Sequence, residues 1–161
     1  MYVKKRREEC VLFLEDGFGT KVWPEKLRNA GYTVECFATY FRDKRGRKEE
    51  NVKDPRIIRF CLERQWVLVT TDRNMPYTHV ETIKNSDTAI ITTATNNDSL
   101  DVWINALIKL KPKIERCVKK HPRPWFAVIG KAGSFNATTI TESWQTKRLR
   151  ASEGQEGKHT R

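Results

Sequence analysis

Two apolar runs that stop abruptly on acids constrain this chain more than anything else in it. Residues 10–14 (CVLFL) lead straight into Glu15 and Asp16, and residues 66–71 (WVLVTT) end on Asp72. Runs this short, apolar almost throughout and bounded by turn signals, read as strands covered on both faces, the pattern of a parallel sheet. In open α/β sheets, ligands bind beyond the carboxyl ends of the strands. If the two strands are parallel neighbours, Asp16 and Asp72 meet at one edge of the sheet. That pair is the central expectation.

The rest of the chain alternates between strand and helix patterns. A turn over residues 15–20 holds Gly17 and Gly19, and the helix after it has Pro24 in its first turn, with Trp23, Leu27 and Ala30 at helical spacing and Gly31 at its end. Residues 32–38 are predicted as a second strand, with Val34, Cys36 and Ala38 on one face and Phe37 on the other. A polar loop over 39–53 carries Arg42, Lys44, Arg45, Arg47 and Lys48; loops of that length without apolar periodicity are usually functional or mobile. Asp54 opens a helix with Ile57, Ile58, Cys61 and Leu62 inward. A short helix is expected over 76–84, a strand over 88–93, and a long helix with Leu100, Trp103, Ile104, Leu107 and Ile108 inward. Pro112 must kink or interrupt that helix, whose pattern resumes at Ile114, Cys117 and Val118. Beyond HPRP the period becomes two, so 125–129 and 135–141 read as an antiparallel hairpin on the sheet edge. The alternation predicts a three-layer α/β fold with a mainly parallel central sheet. Residues 1–9 form a charged leader, 10–146 one domain, and 147–161 a tail of disordered composition.

Charge narrows the class of partner. The 161 residues hold 31 Lys and Arg against 20 Asp and Glu, a net +11. Such an excess favours a polyanion, above all nucleic acid, because neutralising phosphates releases counterions and steers encounter; plain solubility or an acidic protein partner is the blander account. Cys10, Cys36, Cys61 and Cys117 are too scattered for a zinc motif or a disulfide framework, and their apolar neighbours suggest buried thiols. The apolar run after the basic N-terminus is too short for a signal-peptide core, and no segment approaches transmembrane length. A cytoplasmic protein without a membrane partner is expected.

The acids have structural readings as well as chemical ones. Carboxylates at strand ends can hold Mg²⁺ or Mn²⁺, which usually takes its remaining ligands from water and phosphate. Yet Asp54 precedes Pro55 where an N-cap is expected, so cap and metal ligand stay equally open. Glu15 could be merely the outward-facing neighbour of Asp16. Asp72, after two threonines at a buried strand end, suits a site better than a cap. Asp98 suits a cap for the long helix, and His79 and His121 read as surface histidines. The tryptophans Trp23, Trp66, Trp103 and Trp125 fall on apolar faces and read as core.

Taken in order, these segments resemble the PIN-like domains, including those of toxin nucleases and the Mut7-C-type group. The resemblance runs through FLEDGFGTKVWPEKLRNAGYTV, KDPRIIRFCLERQ, WVLVTTDRNM and LIKLKPKIERCVKKHPRPWFAVIGKAG, over most of residues 11–141. It implies a Mg²⁺- or Mn²⁺-dependent endoribonuclease, a hydrolase of RNA phosphodiesters acting as the toxin of a toxin–antitoxin pair. Asp16, Asp54 and Asp72 would be the catalytic metal ligands. Glu15, Thr70, Arg73 and Asn74 would support them, and Arg42, Lys44, Arg45, Arg47 and Lys48 would contact RNA. The chain departs from the pattern in two places. The fourth acid expected after the next strand has only Asn96, Asn97 and Asp98 to offer, and the helix-borne acid has Glu49 and Glu50 as alternatives. The partners implied are RNA and an antitoxin protein, with a homodimer left open. Two rivals remain: a non-catalytic RNA-binding module, and a phospho-receiver domain in which Thr92 or Thr93 follows the acids but no convincing Lys ends a fifth parallel strand.

Overall fold

The computed structural model describes residues 9–84, 86–95 and 98–140. The leader before Glu9, Asn96, Asn97, and the chain from Thr141 onward, predicted tail included, lie outside them. The apolar runs become strands β1 (Val11–Leu14), β2 (Thr33–Cys36), β3 (Val67–Thr70), β4 (Ala89–Thr93), β5 (Trp125–Ile129) and β6 (Phe135–Thr139). Every residue of β1, β3 and β4 is buried, as strands covered on both faces require. The sheet order is β2-β1-β3-β4-β5-β6. All pairings are parallel except β5 with β6, so the protein has an α/β fold with a mainly parallel sheet closed by an antiparallel hairpin. The first arm of that hairpin lies parallel to β4, which makes β5 a fifth parallel strand.

Helices cover both faces: α1 (Val22–Asn29), α2 (Phe37–Tyr40), α3 (Asp54–Arg64), α4 (Met75–Thr78), α5 (Val80–Ile83), α6 (Leu100–Lys109) and α7 (Lys111–Lys120). Side chains alternate across a strand, and the two resulting sets build two cores. Leu12, Leu14, Val67, Val69 and Ile91 pack with Leu27, Trp103, Leu107 and Ile114 from α1, α6 and α7. Phe13, Leu68, Ile90 and Phe126 pack on the other face with Phe37, Ile58, Met75 and Ile83 from α2 to α5. Three layers result, as the strand–helix alternation predicts.

Several boundaries differ from the periodicity. β2 stops at Cys36, and Phe37–Tyr40 forms a helical turn in place of the predicted strand end. The turn lets Phe37 and Phe41, four residues apart, stack at 4.6 Å between ring centroids, and Phe41 meets Phe13 edge-on at 6.3 Å. An extended chain would send Phe37 and Phe41 too far apart to make that stack. Pro112 divides the long helix in two and sits in the first turn of α7, where its missing N–H costs nothing. The helix expected over 76–84 is two single turns that meet at His79. Trp103 and Trp125 are fully buried, whereas Trp23 and Trp66 are half-buried at the margins of the two cores.

All four cysteines are free thiols, Cys36 and Cys61 buried and Cys10 and Cys117 partly so. Burial pushes the Cys10 thiol up to about 12 and Cys117 to about 11, leaving them protonated and poorly nucleophilic. No helix among the described residues is long and apolar enough to cross a membrane.

Phe13 is fully buried and touches Tyr40, Phe41, Phe60 and Trp66. Phe13→Ala should lower the unfolding free energy by about 3–5 kcal/mol, read as a shift of the urea midpoint with unchanged m-value.

Candidate active site

In sequence β1 is followed by β2 on one side, but in space its other neighbour is β3. The sheet therefore reverses its winding between β1 and β3, and the loops that leave these two strands part to open a crevice at their carboxyl ends. Glu15 and Asp16 leave β1 at that point, and Thr71 and Asp72 leave β3. The Glu15 N–H donates to the Val69 carbonyl at 3.1 Å, so the ladder between the strands runs up to the first acid.

Strand alternation then decides which acid turns inward. Phe13 faces the second core, and Glu15, two residues on, takes the same side, as Thr70 does two residues after Leu68. The fully buried Thr70 hydroxyl donates to the Glu15 carboxylate and accepts the Asp72 N–H at 3.0 Å. Burial pushes the Glu15 carboxyl above the ordinary glutamate range. Thr70 pulls it back, while the charges of Asp54, Asp72 and Asp16 each push it further up. Glu15 is thus not the outward-facing neighbour of Asp16; the roles are exchanged. Asp16 sits on the rim, its side chain 44% exposed and paired with Lys48 Nζ at 3.0 Å.

Asp54 is also displaced from its structural reading. Lys53 occupies the N-cap position of α3, and Asp54 is the first helical residue with no capping bond from its side chain. Its Oδ2 lies 3.1 Å from His79 Nε2. An ionised carboxylate has only acceptors, so Nε2 is the donor of that bond. The His79 side chain is 20% exposed, far from the surface histidine expected. Nothing local marked it: 25 residues separate the partners, and only the packing of α4 and α5 against α3 brings them together.

Glu15, Asp16, Asp54, Lys48, Glu49 and Ile57 line one cavity of about 400 Å³, and Glu50 lies on its wall as well. Asp72 is not on that wall. It is exposed, and its Oδ1 accepts the Asn74 N–H at 3.0 Å, closing the turn that starts α4. The Arg73 guanidinium is bound to the Ala94 carbonyl at 3.0 Å, which ties the loop after β3 to the end of β4. Asn74 is exposed beside it.

The basic loop folds as a tight hairpin with an Arg42–Lys48 bridge. Asp43 organises it, accepting the N–H groups of Arg45 and Arg47 at 2.8 and 3.0 Å and the Arg47 guanidinium at 3.3 Å. Arg42 donates to the Gly46 carbonyl. Lys44 and Arg45 project into solvent with no carboxylate partner among the described residues. Asp98 caps no helix, since Ser99 is the N-cap of α6; it binds Thr95 at 2.9 Å and Lys131 Nζ at 2.7 Å. These two contacts hold its carboxyl below the usual aspartate range. Lys131 follows β5, so a lysine does stand beyond a fifth parallel strand, but its charge is spent on Asp98.

All the donors in the cluster are carboxylate oxygens, the chemistry hard divalent cations select. Among the described residues, no three His, Cys, Asp or Glu side chains converge into a ready-made metal cage. No protein-family model, curated protein or solved structure matches the chain.

The raised Glu15 carboxyl has a consequence for stability. Its folded form binds a proton more tightly than the unfolded chain does, so the ionised group weakens the fold at neutral pH. That cost is absent below the ordinary value of 4.5 and grows as pH rises through the raised value. Glu15→Gln should therefore be more stable than wild type at neutral pH and gain nothing below 4.5, measured by denaturant titration at both pH values.

Proposed function

We propose that the protein is a metal-dependent endoribonuclease of the PIN-like kind, hydrolysing RNA phosphodiesters with Mg²⁺ or Mn²⁺. The observation that carries this reading is the gathering of Glu15, Asp16, Asp54 and Asp72 at the reversal point of a strongly basic protein, where the other three charges bear on Glu15. Like charges gathered around the buried Glu15 carboxyl favour a cation that would relieve their repulsion. Glu15 and Asp54, on the cavity wall, are the residues that would hold it, with Asp16 on the rim and Asp72 just outside that wall. Mg²⁺ is commonly held by one or two carboxylates plus waters and substrate phosphates, which suits an open cluster. When bound, the ion polarises the phosphodiester and makes water a better nucleophile.

The remaining work belongs to the chain. Thr70 holds the Glu15 carboxylate in one orientation, and His79 does the same for Asp54, the arrangement by which outer groups aim ligands. Lys44 and Arg45 draw the RNA backbone toward the cavity, and Lys48 can exchange Asp16 for a phosphate oxygen at its mouth. The role as a toxin restrained by an antitoxin is proposed from the resemblance alone, and the cytoplasmic location from the short apolar run after the basic N-terminus.

A phospho-receiver is the second reading, favoured by the sheet order and by Thr92 standing opposite Thr70 in the register. The pairing of Lys131 with Asp98 and the exposure of Asp72 count against it. Acetyl phosphate labelling of Asp72 without RNA cleavage would establish it in place of the nuclease.

Wild type should cleave single-stranded RNA with Mg²⁺ or Mn²⁺, and both Asp72→Asn and chelation should reduce the rate by ~100-fold or more. Cleavage that survives both would sink the mechanism. His79→Ala should cost ~10–100-fold, and His79→Asn, which can still donate to Asp54, should recover part of the loss.

A further inference from the structure

The segment 111–140 carries seven Lys and Arg against one Glu, a net +6 of the chain's +11. Much of that charge lies on α7, and its placement is not explained by the helix. Lys119 and Lys120 stand in the last turn, where a helix C-terminus stabilises cations. Lys113 stands in the first turn, where the macrodipole opposes it, and Arg116 in the middle, where the dipole offers nothing. Glu115, the one acid of α7, is taken by Lys111 at 2.7 Å. Lys113, Arg116 and Lys120 therefore lie at i, i+3 and i+7 along one stripe, exposed, with no carboxylate partner among the described residues.

That stripe forms one wall of a groove of about 390 Å³, whose other side is the outer strand β6. Phe135, Ala137 and Cys117 give the groove an apolar floor. The contrast with the hairpin over residues 42–48 is instructive. There Asp43 and Asp16 neutralise Arg47 and Lys48, whereas the α7 stripe has no anion of its own.

We propose that the groove between α7 and β6 is a second binding site for single-stranded RNA, separate from the acid cluster. The three cations take backbone phosphates, and the apolar floor takes the face of a base, the combination that binds single strands without regard to sequence. An acidic peptide would fit the charge as well, but the stripe offers cations at a regular rise of ~4.5 and ~6 Å, which suits the repeating charge of a strand. The two sites are well separated. β6 lies three strands beyond β3, about 14 Å of sheet width, and the groove opens on the α1, α6 and α7 layer, whereas Glu15 faces the other. Only an RNA long enough to pass round the sheet edge can occupy both.

This inference rests on the reading of the protein as an RNA-cleaving enzyme, and the test separates the two. The full chain and its Lys113→Gln/Arg116→Gln/Lys120→Gln variant are compared on labelled single-stranded RNAs of about 6 and about 30 nucleotides. Binding is followed against salt in chelator, cleavage in Mn²⁺, with circular dichroism to verify the fold. On the long RNA the variant should lose about 2 from the log–log salt slope, three phosphates at ~0.7 each, and show a raised KM with unchanged kcat. On the short RNA, which cannot span both sites, cleavage should match wild type in KM and kcat. An unchanged slope and KM on the long RNA would overturn the second site while wild-type cleavage keeps the nuclease reading. Loss of an acidic protein partner with RNA binding intact would make the groove a protein dock instead. Wild type that neither binds nor cuts either RNA removes both readings.

Discussion

The Thr70 hydroxyl is the joint on which the crevice depends. Fully buried at the end of β3, it donates to Glu15 from β1 and accepts the N–H of Asp72 from its own strand. One oxygen thereby ties together the two loops that diverge at the reversal of the sheet. A buried hydroxyl with both capacities used is costly to disturb, and here both partners belong to the acid cluster. The Glu15 N–H bond to Val69 continues the ladder beneath it, so the position of the inward acid is set by the β1–β3 pairing itself.

Around that joint, electrostatics sort the acids into unequal roles. Glu15 is the desolvated member, its carboxyl raised by burial and by three neighbouring charges. Asp54 is steadied by His79, Asp16 is shielded by Lys48, and Asp72 stands in solvent at the foot of α4. A cation entering the cluster would relieve repulsion that the fold otherwise tolerates, the usual relation between a site and the stability it costs. The surrounding positive charge is also unequal. In the hairpin over 42–48, Arg47 and Lys48 are answered by Asp43 and Asp16, while the α7 stripe has no carboxylate partner among the described residues.

Some of this was legible along the chain. The runs 10–14 and 66–71, apolar almost throughout, read as strands covered on both faces, and with the strand–helix alternation along the chain they predicted the three-layer sheet. The alternation of Phe13 and Glu15 also carried the inward turn of Glu15, although the adjacent Asp16 draws attention first. Other features left no trace. His79 sits in a polar stretch, and its partner is brought to it by helix packing. The break at Phe37 comes from an aromatic cluster gathered from three elements, which outweighs the strand pattern of residues 32–38. Asp98 looked like a cap because its neighbours are capping residues, yet Lys131 from a distant turn claims it.

Sequence by itself determined the class of fold, the acids at the ends of two buried strands and the strong positive charge, because these follow from periodicity and composition. The tertiary structure alone decided that β1 and β3 are neighbours at the reversal point and that Glu15 rather than Asp16 is the buried acid. It also decided that His79 belongs with Asp54 and that Lys113, Arg116 and Lys120 line one groove. Such facts depend on which surfaces meet, and contacts between residues 25 or 55 positions apart are set by packing, which no local pattern encodes.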